Sequence, residues 1–169
     1  MARQPNLPPA MHASGVQREG ALVRTHPCMM GGSYAGPMAE TPLHRDLVAS
    51  LISHIALGEA AITRVAGRPG HPDPDAIGRH EPDVLALTQG GVLVIGEAKT
   101  GPDLDEPTAR EQIEDFSRAI GPNGEKATFW LCVPVEYAEQ ARAAIEAHAD
   151  QHYRVDMLTV AGLSQHAGR

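Results

Sequence analysis

The sequence predicts an α/β fold in which a central mixed β-sheet is flanked by helices. Three observations carry this. A first segment places apolar residues at helical spacing, and later segments are short β-branched runs. The segments follow the order helix, three strands, helix, strand, helix, strand, which suits a layered sheet with helical crossovers. Two of the strand runs are joined by Gln89-Gly90-Gly91, the composition of a tight hairpin turn.

With 169 residues and 42% hydrophobic content, the chain is long enough for one soluble domain with a real core. No apolar run approaches the length of a bilayer span, so no membrane partner is expected. The N-terminus lacks a basic region followed by an apolar core, the pattern of a secretory signal. Cys28 and Cys132 form neither a disulfide framework nor a zinc or iron–sulfur pattern. A cytoplasmic location is the expectation.

Residues 1–38 hold Pro5, Pro8, Pro9, Pro27, Pro37 and Gly31-Gly32 with little periodicity, which predicts a disordered tail ahead of a folded domain over 39–169. Met11, Met29, Met30 and Met38 lie in or at the end of this tail and leave a later translation start open. Thr41-Pro42 opens the first helix with a capping residue and a proline in the first turn. Leu43, Leu47, Val48, Leu51, Ile52 and Ile55 form one stripe. His44 projects within that stripe toward the core, and Asp46 projects to water. Gly58 ends the helix and 60–66 reads as a strand. Residues 67–81 carry three prolines and three glycines and read as a long loop. Strands over 83–88 and 92–99 follow. The next helix begins at Asp105-Glu106-Pro107, carries Ala109, Gln112, Ile113, Phe116 and Ile120 on its inner face, and stops at Gly121-Pro122-Asn123-Gly124. A buried strand over 127–133, a helix from Pro134 to about Ala149 and a strand over 153–160 complete the chain.

The hairpin concentrates the chemistry. Glu97 and Lys99 are two apart on a strand and share a face, while Ala98 points away. Turn parity decides whether Asp83 joins them. A three-residue loop pairs Thr88 with Val92 and sets Asp83 opposite Glu97; a two-residue loop sends Glu97 to the other face. The two glycines favour the odd loop. Directly opposed carboxylates, with Cβ atoms about 4.5–5.5 Å apart, repel. Lys99 offsets part of that, and a divalent cation would offset more. Hard oxygen donors suit Mg2+ or Mn2+. An isolated Glu-x-Lys is usually an ordinary surface pair; the hairpin and the Pro82-Asp83 start distinguish this one. His44 on the sheet-facing stripe is a candidate third metal ligand, though a lone helical histidine is often only a tolerated core residue. Gln112, if buried, needs a polar partner. His71, Asp73, Asp75 and His80 match no ligand spacing and read as solvated. Arg110, Arg118 and Lys126 read as a wet face.

Pro82-Asp83 with Glu97-Ala98-Lys99 resembles the PD-(D/E)xK nuclease motif. The order of elements around it is similar to the restriction-endonuclease-like core of that superfamily. Leu43-His44-Arg45-Asp46-Leu47 is similar to the first motif of the RecB-type branch, in which a helical histidine binds the metal. Gln112 through Phe116 resembles that branch's Gln-xxx-Tyr motif with phenylalanine in place of tyrosine. The first-helix glutamate of many members is missing, as are the iron–sulfur cysteines of some RecB-like relatives. The resemblance covers about residues 40–120. It implies a Mg2+- or Mn2+-dependent deoxyribonuclease, with DNA as partner. Asp83, Glu97 and His44 would hold the metal; Asp83, Glu97, Lys99 and Gln112 would form the catalytic set. A homodimer or a partner subunit is a common requirement of small nucleases of this kind. The formal charge of −7 argues against tight stand-alone DNA binding and keeps two alternatives open: a catalytically inactive module of the same fold that binds nucleic acid or protein, and a hydrolase of smaller substrates.

Overall fold

A computed structural model describes residues 41–162; the predicted tail and the translation start lie outside that range. Thr41 caps the first helix, its hydroxyl accepting from the His44 backbone N–H at 3.2 Å, and Pro42 occupies the first turn. This helix, α1, spans Pro42–Leu57 and ends at Gly58. The strands follow as β1 (Ala61–Val65), β2 (Val84–Leu87) and β3 (Leu93–Ala98). They are succeeded by α2 (Pro107–Ser117), β4 (Thr128–Pro134), α3 (Ala138–His148) and β5 (Arg154–Val160). None of these helices is long and apolar enough to cross a membrane.

The five strands form one open mixed sheet in the order β1-β2-β3-β4-β5. The first three are an antiparallel meander, while β3-β4 and β4-β5 are parallel. Parallel neighbours need long crossovers, and α2 and α3 supply them. Both faces of the sheet are covered, so β3 carries apolar residues on each. Leu47, Leu51 and Ile55 of α1 pack against Val84, Ala86, Val94, Ala98 and Cys132 on one face. Ile113 and Phe116 of α2 and Ala141 of α3 pack against Leu85, Ile95, Phe129, Leu131 and Val133 on the other. Phe116 and Phe129 meet edge to face with ring centres 5.7 Å apart. Full burial of each large apolar side chain here contributes about 1.5–3 kcal/mol.

The α/β architecture and the order of elements follow the sequence reading; three local expectations do not. Residues Pro102–Asp105 form a short 3-10 helix, and α2 starts at Pro107 rather than at Asp105. Pro134 ends β4 instead of opening a helix, and a 3-10 turn over Val135–Tyr137 precedes α3. Helix α2 stops at Ser117, so helical periodicity no longer applies at Ile120. That side chain is exposed, and its backbone bridges to Lys126 around the 121–124 turn.

Candidate active site

The hairpin has the odd loop. Thr88 N–H donates to Val92 O at 3.0 Å and Gly91 N–H donates to Thr88 O at 2.9 Å. Gly91 sits at φ +81°, and a Cβ there would lie 2.6 Å from Asn123 Nδ2. The positive φ favours glycine, and a larger residue would also have to displace the Asn123 side chain. The β2–β3 register runs from Leu87↔Leu93 to Val84↔Gly96, and one further step sets Asp83 against Glu97. The alternation that puts Ile95 on the α2 face puts Glu97 there too.

Glu97 is only 3% exposed. Its Oε1 lies 2.8 Å from Lys99 Nζ, and its Oε2 accepts from the Asp83 backbone N–H at 3.3 Å. Burial, reinforced by repulsion from Asp83 and opposed by Lys99, pushes its carboxyl up to about 7. Lys99 Nζ also donates to Gln112 Oε1 at 2.6 Å, which gives the buried Gln112 the polar partner it needs. The chain reaches α2 through a turn at Gly101, φ +102°, where a Cβ would fall 2.4 Å from the Tyr137 ring. Asp103 fixes the same turn by accepting from both the backbone N–H and the hydroxyl of Thr100.

Asp83 lies one residue beyond β2 and links the two faces. Its Oδ2 accepts from the Ala98 N–H at 2.7 Å and lies 3.3 Å from His44 Nε2, contributed by α1. Behind it Cys132 is buried, and burial together with the Asp83 charge pushes that thiol up to about 12. It is therefore a packing residue, with Sγ 3.6 Å from Leu47 O. Asp46 is exposed, as expected.

His44, Asp83, Glu97, Lys99 and Gln112 thus form one chain of contacts at the end of the sheet. A finished metal cage is not among its features. Among the described residues, no group of three or more His, Cys, Asp or Glu side chains is gathered to hold an ion. His44 meets Asp83 from the α1 face, while Glu97 turns to Lys99 on the α2 face. The donor types nevertheless fit a hard divalent cation. Burial first and repulsion from Asp83 second disfavour the Glu97 carboxylate, and a cation between the two acids would favour it.

Sequence reasoning missed a second cluster that leads into this site. Arg79 contacts Asp115 at 3.0 Å and Glu114 at 3.5 Å. His80 Nε2 lies 3.2 Å from Glu111 Oε2, so His80 is paired rather than solvated. The hydrogen bond from Arg79 holds the Asp115 carboxyl below the usual range. Gly78, at φ +64°, lets the loop pass against Asp115. These contacts fasten the loop just before Pro82-Asp83 onto α2. Acids one turn apart on α2 were the available signal, but their partner lies 31–36 residues away.

Compared with protein-family models, curated proteins and solved structures, the chain gives no match in any of the three.

Proposed function

We propose that this chain is a metal-dependent nuclease of the PD-(D/E)xK type, with a restriction-endonuclease-like core, hydrolysing DNA phosphodiester bonds with Mg2+ or Mn2+. The observation that carries the reading is the register that opposes Asp83 and Glu97 while keeping Lys99 beside Glu97. Asp83 and Glu97 are the residues that would hold the cation, and His44, which lies against Asp83 from the α1 face, would join them only by a side-chain turn around the end of the sheet. When bound, a divalent cation supplies polarisation of a phosphoryl oxygen and a more acidic water.

The remaining chemistry belongs to the chain itself. Lys99, fixed by Glu97 and Gln112, orients the attacking water and balances charge on the phosphoryl oxygens. His44 holds the Asp83 carboxylate in place. The Ala98 N–H does the same from the sheet side, so Asp83 enters the reaction already oriented. The test is conversion of supercoiled plasmid to nicked or linear DNA in Mg2+, abolished by EDTA.

Two observations favour a second reading, a catalytically inactive module of the same fold: the ungathered ligand set and the charge of −7. DNA binding in EDTA with no cleavage in Mg2+ or Mn2+ would support it and exclude the first.

A further inference from the structure

The described residues contain eight arginines, at 45, 64, 68, 79, 110, 118, 142 and 154. Six of them have partners. Arg64 meets Asp75, Arg79 meets the acids of α2, Arg110 donates to Asp105 O, Arg118 meets Glu114 and Asp150, Arg142 meets Glu139, and Arg154 meets Asp156. The guanidinium groups of Arg45 and Arg68 have no hydrogen bond or ion pair within the described residues, and both residues are exposed. In a chain of net charge −7, these two guanidinium groups are local positive charge that the described residues leave unpaired.

Both line the same cleft. It has a volume of about 420 Å3 and lies between α1 and the end of β1, with an apolar floor that includes Val48, Ala49, Val65 and Pro69. That size falls within the range of small-ligand sites, roughly 300–1,000 Å3. The cleft adjoins the candidate active site through the backbone. Arg45 follows His44, whose ring lies 3.3 Å from Asp83, and Ala66, in the cleft wall, donates its N–H to Asp83 O at 2.9 Å.

We infer that this cleft is a nucleotide subsite of the substrate strand: Arg45 and Arg68 hold a phosphodiester next to the scissile one, and the apolar floor takes the attached sugar and base. Guanidinium is the side chain best suited to phosphate, which it grips with parallel N–H donors. The cleft lining combines two guanidinium groups with apolar side chains. The placement also answers the charge objection, because it puts local positive charge beside an acidic centre while five of the other six arginines are paired with the protein's own acids. The inference rests on the nuclease reading for its ligand, but its binding component can be measured without turnover.

The experiment uses the full chain and a fluorescein-labelled oligo-thymidylate in EDTA, followed by anisotropy over a salt series, with plasmid cleavage in Mg2+ run in parallel. Arg45→Ala/Arg68→Ala is expected to weaken binding by about tenfold or more, the scale of one lost charge-assisted hydrogen bond. It should also flatten the log–log salt dependence by about 0.7, the contribution of one phosphate contact on a single strand. Arg45→Lys/Arg68→Lys should recover most of the salt slope but only part of the affinity. Arg142→Ala, on α3, should bind as wild type. Circular dichroism checks that each variant is folded.

Equal affinity and equal salt slope in the wild type and the double alanine variant overturn the subsite. If plasmid cleavage persists in that case, the nuclease reading stands without it. Arginine-dependent binding with no cleavage keeps the subsite and removes the catalytic reading. A wild type that neither binds nor cleaves removes both.

Discussion

The Glu97 carboxyl is shifted well above its ordinary value, and the pH consequence can be worked through. Its folded pKa of about 7 lies above the ordinary 4.5, chiefly because burial penalises the carboxylate. Between those values the unfolded chain binds fewer protons than the folded one, so stability falls as the pH rises through that window. The penalty is absent below about 4.5 and complete above about 7. Glu97→Gln removes it. In EDTA at about pH 8 the variant is expected to be more stable than wild type by on the order of 1–3 kcal/mol, with the gap closing toward about pH 4. Urea melts across pH read this directly; a gap that is constant with pH would contradict it. Gln112 gives a second residue-scale prediction. Gln112→Ala takes an acceptor from Lys99 and should cost about 1–2 kcal/mol in stability, by thermal melts, and about tenfold in cleavage rate. His44 and Glu97 could be singled out from the sequence by face arithmetic alone. The grip of Gln112 on Lys99 could not, because it depends on how far α2 advances over the end of β3.

At the scale of elements, the hairpin and the loop ahead of it set the site. Gln89-Gly90-Gly91 made the odd turn legible, since two glycines supply the left-handed backbone that a three-residue loop needs. Deleting Gly90 shortens the loop to an even length and moves Glu97 to the opposite face from Asp83. Cleavage should then vanish while circular dichroism still reports a folded α/β protein; retained cleavage would contradict the register argument. Gly91→Val meets both the positive φ and Asn123, and is expected to cost about 1–3 kcal/mol by urea melts. The two 3-10 segments and the early stop of α2 escaped sequence reading for a plain reason: three- and four-residue pieces have no periodicity to detect. The Arg79–Asp115 attachment escaped because a proline-rich loop carries no pattern that points to a helix more than thirty residues on.

For the molecule as a whole, the element order in the sequence was sufficient for the layered α/β architecture. Parallel pairing of β3, β4 and β5 follows once helices separate those strands. The site sits where that architecture changes from antiparallel to parallel, at the end of β3 that carries Glu97, Ala98 and Lys99. Its acids and lysine were named from spacing and Gln112 from a motif resemblance, and the structure joins them in one contact chain. The remaining gap is the ligand set. Residue spacing along α1 and β3 says which faces His44 and Glu97 occupy, but not that the sheet separates them. The measurement that bears most directly on the account is plasmid cleavage by the full chain in Mg2+, with Asp83→Ala and Lys99→Ala beside the wild type. The account predicts metal-dependent cleavage by the wild type and a loss of at least about a hundredfold in each variant. Cleavage that persists in EDTA, or wild-type rates in both variants, would contradict it.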